Sequence, residues 1–173
     1  MFHILYINLK MENPTLYQKK QLKIRIEINA KQIHNDVKKI IFEKVKERVD
    51  NKCIEEGYIK SNSIKILHIE NGIVNLNGLK GSIIFNVIYE ALICNPSQGE
   101  NINCIISDIN KTNVQAYVED KDETPLKIFL NRTHHQNRQD YVDLKVNDKI
   151  KIQVLYKNYE YNDTKILIFG KLL

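Results

Sequence analysis

The sequence predicts an α+β chain, a β-α-β-β unit followed by a small five-stranded β-barrel. Three observations predict it. Residues 22–28 (LKIRIEI) alternate strictly between apolar and polar, the period of a strand with one buried face. Directly after them the apolar positions Val37, Ile40, Ile41, Val45 and Val49 recur at spacings of three and four, the period of a helix. Beyond Pro96 the pattern changes to short β-rich runs at intervals of 8 to 20 residues, which suits a barrel.

The elements follow in order. Residues 8–21 are polar and hold Pro14, so a loop or irregular extension is expected there. The strand over 22–28 comes next. Asn35 or Asp36 is placed to cap the helix, Lys38, Lys39, Glu43, Lys46 and Glu47 form its polar face, and Asn51 ends it. Residues 57–70 read as strand, with Ile64, Ile66 and His68 on one face and Lys65, Leu67 and Ile69 on the other. Asn71-Gly72 is a tight-turn signal, and 77–81 is a loop with two glycines. Residues 82–94 (SIIFNVIYEALIC) form one long strand, apolar enough to be covered on both faces. Asn95-Pro96-Ser97-Gln98-Gly99 is the strongest boundary in the chain. Five strands follow, over 101–109, 114–118, 126–130, 149–156 and 165–172, with a polar hairpin tip at 158–163. Five strands with an excursion after the third describe an OB-type β-barrel. The chain thus divides into an irregular extension (1–21), a truncated ribonucleoprotein-like domain (22–95) and an OB-fold domain (96–173).

Composition narrows the function. At 173 residues, with 43% apolar and 27% charged side chains, the chain has a core and is not disordered. Three cysteines with no C-x-x-C pair point to a reducing compartment, and no apolar run approaches the roughly 20 residues that span a bilayer. An intracellular protein with no membrane partner is expected. The net charge of +5 invites a nucleic-acid reading. However, 27 Ile, 20 Asn and 22 Lys reflect AT-rich codons as much as selection for a polyanion partner. Residues 1–80 carry +6 and residues 81–173 carry −1, so the field over the barrel as a whole is weak.

Three stretches in order resemble one family. They are residues 42–53 (FEKVKERVDNKC) with Gly57-Tyr58-Ile59; Gly78-Leu79-Lys80-Gly81 followed by 85–96 (FNVIYEALICNP); and Gly99-Glu100-Asn101-Ile102 with Ile109-Asn110-Lys111. Together they resemble the seventh subunit of RNA polymerase II, its archaeal counterpart and their paralogues, over roughly residues 22–173. The resemblance implies a stalk subunit without an active site of its own. Such a subunit pairs with a smaller helical partner, docks on the polymerase core subunits through the tip of its N-terminal domain, and touches emerging single-stranded RNA with its barrel. The docking tip would hold Asn71, Gly72, Ile73, Val74, Leu76, Gly78, Leu79 and Gly81, the apolar members as anchors. The drifted, AT-rich sequence suggests a copy from a large DNA virus. The resemblance therefore implies the nucleus, or a cytoplasmic viral factory and virion. Many members carry a Gly and an aromatic on the second barrel strand, where this chain has Asn113, able to adopt a left-handed turn, and Gln115. Gln115 cannot stack a base as an aromatic ring does, so the barrel is expected either to bind RNA weakly or to use Tyr117 on that strand instead.

Residues able to carry chemistry are few. No G-x-S-x-G, phosphate loop or H-E-x-x-H is present, so no catalytic residue, cofactor or metal is expected. The acidic run 119–123 suits a solvated loop better than a cation site or a metal-dependent nuclease. His134-His135 near Asp140 and Asp143 point in different directions and make a poor metal site. For RNA the candidates are Lys111, Tyr117, Lys127, Arg132, Lys157, Tyr159 and Tyr161, with Arg138 as a further cation, because OB barrels pair basic grooves with aromatic platforms. The competing reading is a free-standing single-strand-binding protein, and the plainest reading of the tyrosines is half-buried packing.

Overall fold

A computed structural model describes residues 16–33, 36–75, 81–118, 124–136 and 138–173. The described residues are mostly β with two α-helices and build two hydrophobic clusters, one beneath a helix-backed sheet and one inside a barrel.

Strand β1 (Gln18–Asn29) pairs antiparallel with β6 (Ser82–Cys94) along twelve residues. The start at Gln18, four residues before the apolar alternation begins, comes from pairing: Lys19 bridges Glu90 at 3.0 Å, so long-range partners extend a polar segment into strand. Helix α1 (Val37–Val49) begins where the Asp36 carboxylate accepts the Lys39 N–H, and Asn51 follows it at φ +59°, a conformation Asn tolerates. Ile41, Val45 and Val49 lie buried against Ile26, Ile28, Val87, Tyr89, Ala91 and Ile93. The other edge of β6 receives β3 (Gly57–Ile59), which pairs with β2 (Cys53–Ile54), and then β4 (Lys65–Ile69) and β5 (Ile73–Asn75). This six-stranded sheet holds more than a β-α-β-β unit.

Three expectations are corrected by the sheet. A bulge in β4 at Leu67 breaks the alternation: Ile64, Ile66 and Ile69 share the core side, whereas Leu67 and His68 are exposed. Asn71-Gly72 reverses nothing, because β4 and β5 both run antiparallel to β6 and lie successively along its edge. Glycine is needed at 72 for space: a Cβ there would stand 2.5 Å from Ile83 Cγ2. Finally, β6 is not covered on both faces. Its alternate residues Asn86, Ile88, Glu90 and Leu92 are only half-buried, and polar contacts such as Lys23–Glu70 at 2.7 Å line that side.

Beyond Pro96, β7 (Asn101–Ile109), β8 (Asn113–Tyr117), β9 (Leu126–Asn131), β10 (Lys149–Asn158) and β11 (Ile166–Leu172) close a barrel in the order β10-β11-β9-β8-β7, with β9 and β11 parallel and β10 pairing back to β7. A closed five-stranded barrel of this order is consistent with the OB type. Ile106, Ile128, Leu130, Ile152, Ile166 and Ile168 fill it, all buried. Between β9 and β10 the chain makes a 3-10 turn (Arg132–His135) and the short α2 (Gln139–Val142). No described helix is long and apolar enough to cross a membrane.

The 3-10 turn and α2 close one end of the barrel. His135 Nε2 accepts the Leu172 N–H at 2.9 Å, so Nδ1 carries the ring proton and donates it to the Asn131 carbonyl oxygen at 2.7 Å. The ring stacks on Tyr141 at 4.5 Å, and Tyr141 donates its hydroxyl proton to the Leu130 carbonyl at 2.9 Å. Burial holds the His135 pKa below its ordinary 6.5, since a charged ring would lose both solvent and the Leu172 donor. The unfolded chain therefore binds a proton that the folded chain refuses as pH falls below about 6.5. This contribution to stability is fully present above that pH and is lost as pH falls toward the lower, folded value. Urea titrations at about pH 7.5 and about pH 5.5 should show that loss, and His135→Gln should flatten it.

The sheet and the barrel meet along a hydrogen-bonded seam. Cys53 N–H donates to the Asp163 carbonyl at 2.7 Å and the Cys53 carbonyl accepts Asn162 N–H at 2.9 Å. Tyr159 donates its hydroxyl proton to the Glu55 carbonyl at 3.1 Å. Cys53, Tyr58 and Cys94, from the sheet, belong to the barrel's own hydrophobic cluster. Burial pushes the Cys53 thiol up to about 11 and those of Cys94 and Cys104 up to about 12, which marks them as packing groups.

Candidate nucleic-acid interface and docking tip

The tip candidates divide between described and undescribed residues. Asn71, Gly72, Ile73 and Val74 are exposed, Ile73 to 64% and Val74 to 61%. Gly81 is half-buried at φ +54°, a value suited to glycine, while Leu76, Gly78 and Leu79 lie outside the described residues. Ile73 pairs with Ile84 and Asn75 with Ser82, so 76–81 connects β5 to β6. The Glu27 carboxylate ties the base of this connection by accepting from Ser82 Oγ and from Asn75 Nδ2. Those two bonds also lower the Glu27 pKa. At roughly 3.4 Å per residue the thirteen residues of β6 separate this end from Cys94, where the barrel begins, by about 40 Å.

The RNA candidates fall into three groups. Lys111 and Arg132 are exposed at one end of the barrel, Arg132 Nη1 reaching the Lys111 carbonyl at 3.5 Å. Tyr117 and Lys127 are exposed on the outer surfaces of β8 and β9. Lys157, Tyr159 and Tyr161 come from the hairpin end of the barrel. Lys157 is half-buried there and spends its ammonium on Asn95 Oδ1 and, at 2.9 Å, on the Pro96 carbonyl. Desolvation lowers its pKa. Tyr159 has its hydroxyl on Glu55, whereas Tyr161 is 56% exposed beside Lys44, Arg48 and Lys52. The seam thus occupies the polar atoms of Lys157 and Tyr159. Arg138 is engaged as well, donating to the Leu172 carbonyl at 2.6 Å and pairing with Asp140.

Asn113 is extended within β8, opposite Asn131, and does not adopt the left-handed turn. Gln115 begins a feature absent from the sequence-derived candidates. It pairs with Phe129, Phe129 with Phe169, and Phe169 with Tyr156, one transverse row across β8, β9, β11 and β10. Tyr156 stacks on Phe169 at 4.4 Å and 12°, and Phe169 on Phe129 at 5.6 Å and 24°. Lys127 Nζ lies 5.2 Å from the Phe129 ring centroid. Tyr156 reaches this outer row because of a bulge in β10: the register skips Leu155, so Val154 faces the core and Tyr156 is 47% exposed. Gly170 lets β11 approach, since a Cβ there would stand 2.7 Å from Ile152 Cδ1.

Among the described residues no three His, Cys, Asp or Glu side chains group as metal ligands, and both ring nitrogens of His135 are occupied by backbone. The 119–123 acidic run lies outside the described residues.

No protein-family model matches the chain. In sequence it is similar to a protein of Acanthamoeba polyphaga mimivirus named as a putative DNA-directed RNA polymerase subunit. The two are 22% identical over 174 residues, a match that covers 94% of this chain and 85% of the relative.

Proposed function

We propose that this chain is a non-catalytic stalk subunit of a multisubunit DNA-dependent RNA polymerase, of viral origin like its relative. The docking domain, 22–95 by sequence, takes in the whole of β1 from Gln18, and 96–173 form the barrel that contacts emerging single-stranded RNA. The observation that carries this reading is similarity to a polymerase subunit over 94% of the chain, sheet and barrel together. The geometry supports the division of labour. Two apolar side chains stand exposed at the end of β6 farthest from the barrel, where an interface core needs apolar surface. A smaller helical stalk partner belongs to the same reading.

Affinity purification of the tagged chain from cells in which it is expressed tests this. Recovery of the large polymerase subunits in stoichiometric amounts is expected. Recovery of the chain alone, with single-stranded RNA as its sole companion, would instead establish the free-standing binding protein.

A further inference from the structure

The geometry points to the aromatic row on β9, β11 and β10, and not the hairpin tip, as the platform on which the barrel holds single-stranded RNA. This rests on the reading of the barrel as an RNA-contacting module and names the surface. Three observations converge on it. First, Tyr156, Phe169 and Phe129 form a continuous stack that begins beside Gln115. Tyr156 ends the row with nearly half of its surface in solvent, so an unpaired base added there extends the stack.

Second, charge is sorted by strand. The near-neutral total over residues 81–173 hides this, because its acidic side chains lie elsewhere. Strands β9, β10 and β11 contain no Asp or Glu, and Lys127, Lys151 and Lys171 are exposed on them. Lys171 follows Phe169 by two residues on the same face and pairs with Gln153, two residues from Lys151. Cations therefore flank the rings along the strand direction, as a phosphate backbone running past stacked bases requires.

Third, the bulge at Leu155 aims Tyr156 outward. Regular alternation would send that ring to the side of Val154, which is buried. A tyrosine re-aimed onto an outer surface between lysines suits a ligand with flat apolar faces and negative charge. Single-stranded RNA has both, whereas a duplex keeps its base faces covered.

The experiment is fluorescence anisotropy of a labelled oligouridine RNA titrated with the full chain over a salt series. Tyr156→Ala is expected to weaken binding about 5- to 150-fold, whereas Tyr156→Phe retains it. Replacing Lys127, Lys151 and Lys171 together by Gln is expected to lower the logarithmic salt slope by about 2, at about 0.7 per lost phosphate contact. Lys39→Gln, on the outer face of α1, leaves both unchanged. These lysines are exposed, so their slope decides the matter even if Tyr156→Ala fails to fold. Wild-type binding that neither the Tyr156 nor the lysine substitutions weaken would overturn the platform and leave an RNA-contacting barrel standing. No binding by the wild-type chain would overturn both. Oligothymidine binding as tightly as oligouridine supports the platform and shows that it reads bases and phosphates without the 2′-hydroxyl.

Discussion

Replacing Ile73 and Val74 together by Asp is expected to abolish co-purification with polymerase subunits while leaving the thermal midpoint close to that of the wild type. The two side chains are more than 60% exposed, so the isolated chain buries little of either, and β5 keeps its backbone pairing to β6 with any side chain. The cost therefore falls on the complex. Two carboxylates inside an apolar contact lose their water without a partner, and apolar anchors at interface centres are worth about 2 kcal/mol or more each. Together they amount to roughly 4 kcal/mol, or about a 1,000-fold loss of affinity. Co-purification and differential scanning fluorimetry on the same preparation separate the two effects. A variant that stays bound, or one that unfolds, contradicts the assignment of this tip.

Gly57→Ala is expected to act on the fold itself. Gly57 sits at φ +125° after the Glu55-Glu56 turn between β2 and β3, where an L side chain is strained. A Cβ there would also stand 2.6 Å from the Cys94 carbonyl oxygen and 2.7 Å from Asn95 Cβ, neither of them the movable end of a long side chain. Relief requires β3 to leave the end of β6, which opens the seam that Cys53 and Tyr58 share with the barrel cluster. Strain and displacement together cost on the order of 3 kcal/mol, a fall of about 6 to 12 °C in the thermal midpoint. Gly81→Ala is the contrast. Its φ of +54° carries the left-handed penalty, but nothing lies within 4 Å of the added Cβ, so about 1 kcal/mol is expected.

The strands and the helix were legible because their apolar positions keep a fixed period. The alternation of 22–28, the three-four spacing through Val49 and the long run over 82–94 each buries one face, and burial leaves that trace in sequence. One misreading comes from an extra residue that shifts the period, in β4. Leu67 in β4 and Leu155 in β10 are both bulges, and composition around them looks like ordinary strand. The second one makes the aromatic row possible, since strict alternation would turn Tyr156 inward and leave Phe129 and Phe169 without a third ring. Pairing register was equally hidden: that Phe129 lies between Gln115 and Phe169 depends on a parallel β9–β11 contact between strands some 40 residues apart. Lys157 and Tyr159 read as an open basic-aromatic tip because nothing local announces Glu55, Asn95 and Pro96 as their partners. The net charge of the C-terminal half misled for a similar reason. Its sum is near zero while four of its strands, β8 to β11, carry no acidic side chain.

The most direct measurement places a photoreactive amino acid at position 73 in one copy of the chain and at position 156 in another, each within a transcribing polymerase complex. Position 73 should crosslink to a polymerase subunit and position 156 to nascent RNA. Crosslinks of position 73 to RNA and of position 156 to protein would contradict the account, as would a complex that forms without this chain attached.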